Sequence, residues 1–120
     1  MTQLVGIIDI VWRGVFVPVE KGAKYKPAAI KNNAMAYGRQ VGRAQEFVPG
    51  EATATTHFAK GRRLKDLYTS EEGELQVHLD TGQVYVHPDA FLTEPIELTG
   101  GEGGKVELKW AFGPGEEIIN

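Results

Sequence analysis

Lys105-Val106-Glu107-Leu108-Lys109-Trp110-Ala111-Phe112 alternates without a fault: Val106, Leu108, Trp110 and Phe112 fall on one side of an extended chain, and Lys105, Glu107 and Lys109 on the other. This is the period of a β-strand with one packed face and one wet face. The segment leading into it, Glu94-Pro95-Ile96-Glu97-Leu98-Thr99-Gly100-Gly101-Glu102-Gly103-Gly104, supplies glycines for a sharp reversal, because glycine reaches backbone regions closed to other residues. The same glycines do not make a phosphate cradle. Gly104-Lys105 has no hydroxyl residue after the lysine and no glycine five positions before Gly104, and no GxGxxG frame fits,.

A sheet of this kind has to be completed by other strands, and the composition suits one. The chain has 120 residues, 42% of them apolar and 24% charged, with 15 glycines and 6 prolines. That is enough chain for one domain with one core, punctuated densely enough for many short strands. No apolar run approaches the roughly 20 residues of a membrane-spanning helix. Met1-Thr2-Gln3-Leu4 carries no basic n-region, so no secretion signal is expected. The absence of cysteine excludes disulfides and thiolate metal sites.

Leu4 to Trp12 is an almost continuous apolar run, read as a strand buried on both faces; Arg13-Gly14 then turns the chain into Val15-Phe16-Val17,. Glu20 to Asn33 has no clear period and reads as a loop with at most one short strand. Ala34 to Val48 reads as two short strands around Gly38 and Gly42, closed by the Pro49-Gly50 turn,. Glu51 to Ala59 alternates again, with Ala52, Ala54, Thr56 and Phe58 on one side and Glu51, Thr53, Thr55 and His57 on the other. Gly61 to Ser70 is the one expected helix, with Leu64, Leu67 and Tyr68 as its apolar stripe,. Glu74–Asp80 and Gln83–His87 form a hairpin about Thr81-Gly82. With Asp80 opposite Gln83, the residues Val77, Leu79, Val84 and Val86 would share the core face,. Pro88-Asp89 ends that hairpin, and Pro114 to Asn120 is an acidic tail expected to fray unless docked. The fold class is therefore mainly β: an antiparallel sandwich or barrel-like domain spanning 1–120 with one short flanking helix.

Chemistry finds little purchase. His78 and His87 were expected on the polar face of the hairpin, with Glu74 or Asp80 nearby, but a metal needs three or four converging ligands. The only serine is Ser70, outside any Gly-x-Ser-x-Gly elbow, and Glu71-Glu72 and Glu116-Glu117 read as solvated charge,. No catalytic, metal or cofactor residue is assigned, and no enzyme is expected. Charge is more informative. Through Lys65 there are 11 Lys/Arg against 4 Asp/Glu, or +7; from Asp66 there are 2 against 12, or −10; the sum is the formal −3. If the halves occupy different ends of the fold, copies can stack basic end on acidic end.

The ends of the chain also carry a resemblance. Glu94-Pro95-Ile96-Glu97-Leu98, the Gly-Gly-Glu-Gly turn at 100–103, and the alternating strand ending in Phe112-Gly113 resemble the C-terminal part of the tail tube proteins of contractile-tailed, Mu-like bacteriophages. Leu4-Val5-Gly6-Ile7-Ile8-Asp9-Ile10 followed by Gly14-Val15-Phe16 resembles the start of that family. Lys24 to Ala44 departs most. The resemblance implies a structural subunit that forms hexameric rings stacked into a hollow tube, with double-stranded DNA passing through unbound. It further implies tail sheath, tape-measure and baseplate proteins as partners, no membrane, no cofactor, and a place in a virion tail assembled in the bacterial cytoplasm. Under it, Leu4, Ile7, Ile8, Ile10, Lys21, Lys24, Lys26, Glu116, Glu117, Ile118 and Ile119 are candidate subunit-interface residues, and Glu51, Thr53, Thr55 and His57 candidate lumen residues. The competing expectation is a monomeric β-sandwich module that binds a peptide, a sugar or a single strand of nucleic acid on its wet face.

Overall fold

The alternating strand forms as its pattern requires: β10 (Lys105–Phe112) buries Val106, Leu108, Trp110 and Phe112, each 2% exposed or less. A computed structural model describes residues 2–58, 63, 68, 71–101 and 104–119 of the chain. Ten further strands surround β10 among them: β1 (Ile8–Trp12), β2 (Val15–Val17), β3 (Lys24–Lys26), β4 (Ala29–Tyr37), β5 (Gln40–Val48), β6 (Gly50–His57), β7 (Gly73–Leu79), β8 (Gln83–Leu92), β9 (Leu98–Thr99) and β11 (Glu116–Ile119). Every pairing is antiparallel. The helix expected over Gly61–Ser70 falls almost wholly on residues outside those described.

The main sheet has the order β2-β1-β7-β8-β10-β6-β3, with β11 added to β8 and β9 to β10. Three strand spacings separate β1 from β10, about 14 Å in a flat sheet. Trp12 and Trp110 nevertheless meet at a ring-centroid distance of 5.8 Å, and Tyr25 on β3 meets Tyr85 on β8 at 4.9 Å. The sheet is therefore folded over on itself, and its inner faces close one core made of Ile10, Trp12, Val17, Ala52, Ala54, Leu75, Val77, Ala90, Leu92 and the four inward residues of β10. Each fully buried aliphatic or Phe side chain contributes roughly 1.5–3 kcal/mol. The Trp12 and Trp110 indole N–H groups have no hydrogen-bond partner among the described residues, which takes back part of the gain.

Two ladders are longer than their strands suggest. Trp110 faces Leu92 and Ala111 faces Phe91, and the same one-for-one register resumes with Glu116 facing Val86 through Ile119 facing Gln83. β10 and β11 are thus one strand along β8, interrupted where Pro88 and Pro114 come opposite each other and neither can donate to a ladder. Likewise β3 pairs with β6 up to Lys26 and Glu51, and β4 with β5 from Ala29 and Val48, in a single continued register. This break falls at Pro27 and Pro49. The tail expected to fray is a paired strand, and the hairpin strand expected to stop at Pro88-Asp89 runs on to Leu92 as β10's partner.

The β7–β8 register differs from the expected one. Leu75 faces His87, Val77 faces Tyr85 and His78 faces Val84. The loop holds three residues, Asp80-Thr81-Gly82, closed by the Gly82 amide donating to the Leu79 carbonyl at 3.0 Å, with Gly82 at φ 104°. A three-residue loop ending in a left-handed glycine adds one residue to the turn, which moves Val84 and Val86 to the outer face and brings Tyr85 and His87 inward. Two other readings are corrected. The N-terminal strand begins only at Ile8, because β7 turns away at Asp80 and leaves residues 2–7 no partner strand. Only Ile10 and Trp12 of the run are buried; Leu4, Val5 and Ile7 are exposed. Residues 29–48, read as loop and short strands, are two nine-residue strands.

The two registers separate experimentally. Val77→Asp buries an unpaired charge and should cost several kcal/mol, whereas Val84→Asp should cost about 1 kcal/mol, near the span of strand propensities. Denaturant unfolding of both variants checks this; equal loss at Val84 would restore the register in which Val84 faces the core.

Candidate assembly interface

β4 and β5 form a two-stranded ribbon paired with no other strand among the described residues. It grows out of β3 and β6, turns at Gly38 (φ 62°) and Arg39, and contributes to a long axis of 61 Å. One face carries the cross-strand pairs Ile30–Phe47, Ala34–Arg43 and Ala36–Val41; the other carries Lys31–Glu46 and Met35–Gly42. Ile30, Met35, Tyr37, Val41 and Phe47 are between 56% and 73% exposed. A lone two-stranded hairpin is marginal in water, and here no layer of the described residues covers either face. Lys31, Arg39 and Arg43 against Glu46 make it basic.

At the root of the ribbon the two proline breaks meet. The rings of Tyr25, His87 and Phe112 stack there, His87 lying 3.9 Å from Phe112 and Phe112 5.7 Å from Tyr25 between centroids. The Gly113 carbonyl can only accept, so His87 Nδ1 carries the proton that it donates across 3.2 Å. Nε2 is then bare and accepts from the Tyr25 hydroxyl at 2.7 Å. His87 is 2% exposed. Burial lowers its pKa below the ordinary 6.5, against smaller opposing effects of the Gly113 carbonyl and the Asp89 charge. Burial, with the neighbouring Tyr85 and Glu117, pushes Tyr25 up to about 12, so it remains a donor. Gly115 and Gly50 make the approach possible: a Cβ on the first would collide with His87 and on the second with Phe112.

Beside this cluster the folded sheet stays open. A cavity of about 480 Å³ is bounded by Val5, Ile8, Tyr25, Leu79, Tyr85 and Glu117, with Pro27 and Ala28 at the ribbon root on its edge. At the other end of the β6–β10 pair, where Lys105 faces His57, Glu94, Glu97 and Glu107 surround a smaller groove of about 350 Å³ with Lys105.

The candidate interface residues do not form one patch. Leu4 and Ile7 are exposed on the N-terminal arm, Ile8 is half-buried at the cavity, and Ile10 lies within the chain's own core. Lys24 and Lys26 sit on the edge strand β3, and Lys21 is exposed in the turn before it. Glu116, Glu117, Ile118 and Ile119 form β11. Glu51, Thr53, Thr55 and His57 share the outer face of β6 opposite Ala52, Ala54 and Thr56, as the alternation requires. His57 Nε2 lies 2.5 Å from Glu20. His78 and His87 are on opposite faces: His78 contacts Gln76 at 3.0 Å outside, and His87 is in the core. The ribbon and the Tyr25–His87 pair were missed. The equal lengths on either side of Gly38-Arg39 were the available signal for the first.

The hinge histidine should be visible in pH dependence. Its depressed folded pKa means that the unfolded chain binds the proton first, so its contribution is complete above pH 6.5 and is lost as the pH falls below that value and through the folded one. Between pH 7 and 5 the unfolding midpoint should drop, and His87→Gln should flatten the drop while costing about 1–3 kcal/mol at pH 7. An unchanged slope in the variant would remove His87 from the hinge.

Comparison with known proteins bears on the fold and on the family. No curated protein matches the sequence. Among solved structures, the tube-terminating cap of the anti-feeding prophage superposes with a TM-score of 0.71 at 10% identity, covering 100% of this chain and 94% of that one. The sheath/tube terminator of the PVC extracellular contractile injection system, in its extended state, gives 0.70 at 11%, covering 99% and 98%. A chain of the extended sheath-tube complex of that system gives 0.66 at 8%, covering 94% and 88%. Likeness at such identities speaks for the fold. The model of the phage tail tube protein family matches residues 1–117, and the chain belongs to that family.

Proposed function

We propose that copies of this chain close side by side into hexameric rings, that the rings stack into the hollow tube of a contractile phage or phage-derived particle, and that DNA passes through the lumen. Membership in the tail tube family makes the chain a structural component of a phage tail or phage-derived particle and not an enzyme. The observation that supports assembly is the 29–48 ribbon, which exposes large apolar side chains on both faces and would bury them against a neighbour. Closed rings also remove the free strand edges at β2, β3 and β11. Glu51, Thr53, Thr55 and His57 are the proposed lumen face, and a sheath, a tape-measure protein and a baseplate the proposed partners. A second reading, a cap that ends a tube, is favoured by the cap and terminator that superpose over nearly their whole length. A cap would form rings that do not elongate.

Two measurements test the proposal. Replacing residues 30–47 by a two-residue Asn-Gly turn should leave a folded monomer that no longer assembles at any concentration in size-exclusion chromatography; unchanged assembly would contradict it. The ribbon is basic, and the Glu94, Glu97 and Glu107 groove lies at the opposite end of the β6–β10 pair, so ring stacking should be electrostatic. Charges on such surfaces are screened within about 8 Å at physiological salt. Tube length in electron micrographs should fall as salt rises, and Lys31→Glu with Arg39→Glu, both on the ribbon, should shorten tubes more than they disrupt rings. Equal lengths across the salt series would contradict electrostatic stacking.

A further inference from the structure

The open cavity at the ribbon root and the uncovered ribbon tip answer each other. The cavity walls are apolar at Val5, Ile8 and Leu79, and a carboxylate, Glu117, stands at the rim, hydrogen-bonded to Tyr85. On one face of the ribbon tip, Val41 and Arg43 project side by side, about 7 Å apart along the strand, opposite Ala36 and Ala34. Those two alanines make the face thin enough to enter a cleft. Val41 is 73% exposed. This face of the tip therefore offers one apolar group and one guanidinium in a row, and the cavity offers apolar walls and two carboxylates, Glu116 and Glu117, of which Glu117 lies beside Tyr85.

We infer that the cavity bounded by Val5, Ile8, Leu79 and Glu117 is the socket for the ribbon tip of a second copy, which seats Val41 against the apolar walls and pairs Arg43 with Glu117. The occupant is a second copy and not the chain's own tip. Ala28, at the cavity edge, is eight residues along the ribbon from Ala36, the partner of Val41, which places a chain's own tip about 27 Å from its own socket. Tip and socket are different surfaces, so the contact is heterologous and repeats from copy to copy, closing as a ring or running on as a filament. The inference rests on the tube-subunit reading and names the contact on which that reading depends.

Charge reversal tests the pairing. Arg43→Glu alone and Glu117→Lys alone should each raise the concentration needed for assembly about tenfold or more, because like charges are brought together. An equimolar mixture of the two variants should recover assembly, since each tip then meets a socket of opposite sign, and so should the chain carrying both changes. The absence of cysteine allows a second measurement, which decides the matter if Glu117→Lys cannot fold. Val5→Cys with Val41→Cys in one chain, treated with a short bismaleimide after assembly, should give a ladder of covalent oligomers in denaturing gels. Single variants that assemble like wild type, failure of both combinations to recover assembly, or a wild-type assembly whose double-cysteine counterpart gives only monomer would overturn the socket and leave the tube-subunit reading standing. A wild-type chain that stays monomeric at all concentrations overturns that reading, and the socket with it.

Discussion

The hydrogen bond from Tyr25 on β3 to His87 on β8 holds the folded sheet together at the point where β3 runs on into the ribbon, and so sits between two parts of the molecule with different tasks. On one side is the folded sheet, closed by Trp12, Trp110 and the inward residues of β10. On the other is the ribbon, into which β3 continues beyond Pro27. Both long ladders lose their backbone pairing at this point, to Pro27 and Pro49 in one and to Pro88 and Pro114 in the other. What replaces the missing ladder bonds is the ring stack of Tyr25, His87 and Phe112 and the donation from His87 to the Gly113 carbonyl. A buried neutral histidine that both accepts and donates fixes its own tautomer and orientation. Through Tyr25 it also anchors β3, the strand that leads into the ribbon.

That arrangement divides stability from assembly. The core is complete within the chain, so a folded subunit can exist before it finds its neighbours. The ribbon's large apolar side chains lie outside the core of the described residues, and under the proposed function they gain burial from another copy. Placing the uncovered surface on a projecting element, hinged at a polar contact inside an aromatic stack, lets the interface form without reopening the core. The opposed charge of the ribbon and of the Glu94, Glu97 and Glu107 groove would then order the copies along one direction, since such fields act more on orientation and rate than on affinity.

Much of the sheet was legible because burial imprints alternation. Val106 to Phe112 and Ala52 to Thr56 could be placed on their faces from the sequence, and the structure puts them there. Where burial is absent the imprint is absent too: β4 and β5 have no core face among the described residues, so their 18 residues carry no clear period and read as loop up to Asn33 and as two short strands beyond it. The β7–β8 register failed for a different reason. Apolar residues occur at both parities of β8, with Val84 and Val86 at one and Tyr85 at the other, and only the three-residue loop decides between them. The interface residues named from apolarity alone divided accordingly, Ile10 entering the core while Leu4 and Ile119 stayed outside. His87 could not be recognised as a hinge, because its partners, Tyr25 and Gly113, are 62 and 26 residues away in sequence.

The central claim is that the 29–48 ribbon is held by a neighbour and not by its own chain. Amide hydrogen exchange, read peptide by peptide in dilute monomer and in assembled material, tests it most directly, because exchange reports local opening free energy. The account expects the ribbon amides to exchange rapidly in the monomer and to become protected on assembly, while β6, β7 and β10 are protected in both. Ribbon amides as protected in the monomer as those of β10, or unprotected in the assembly, would contradict it.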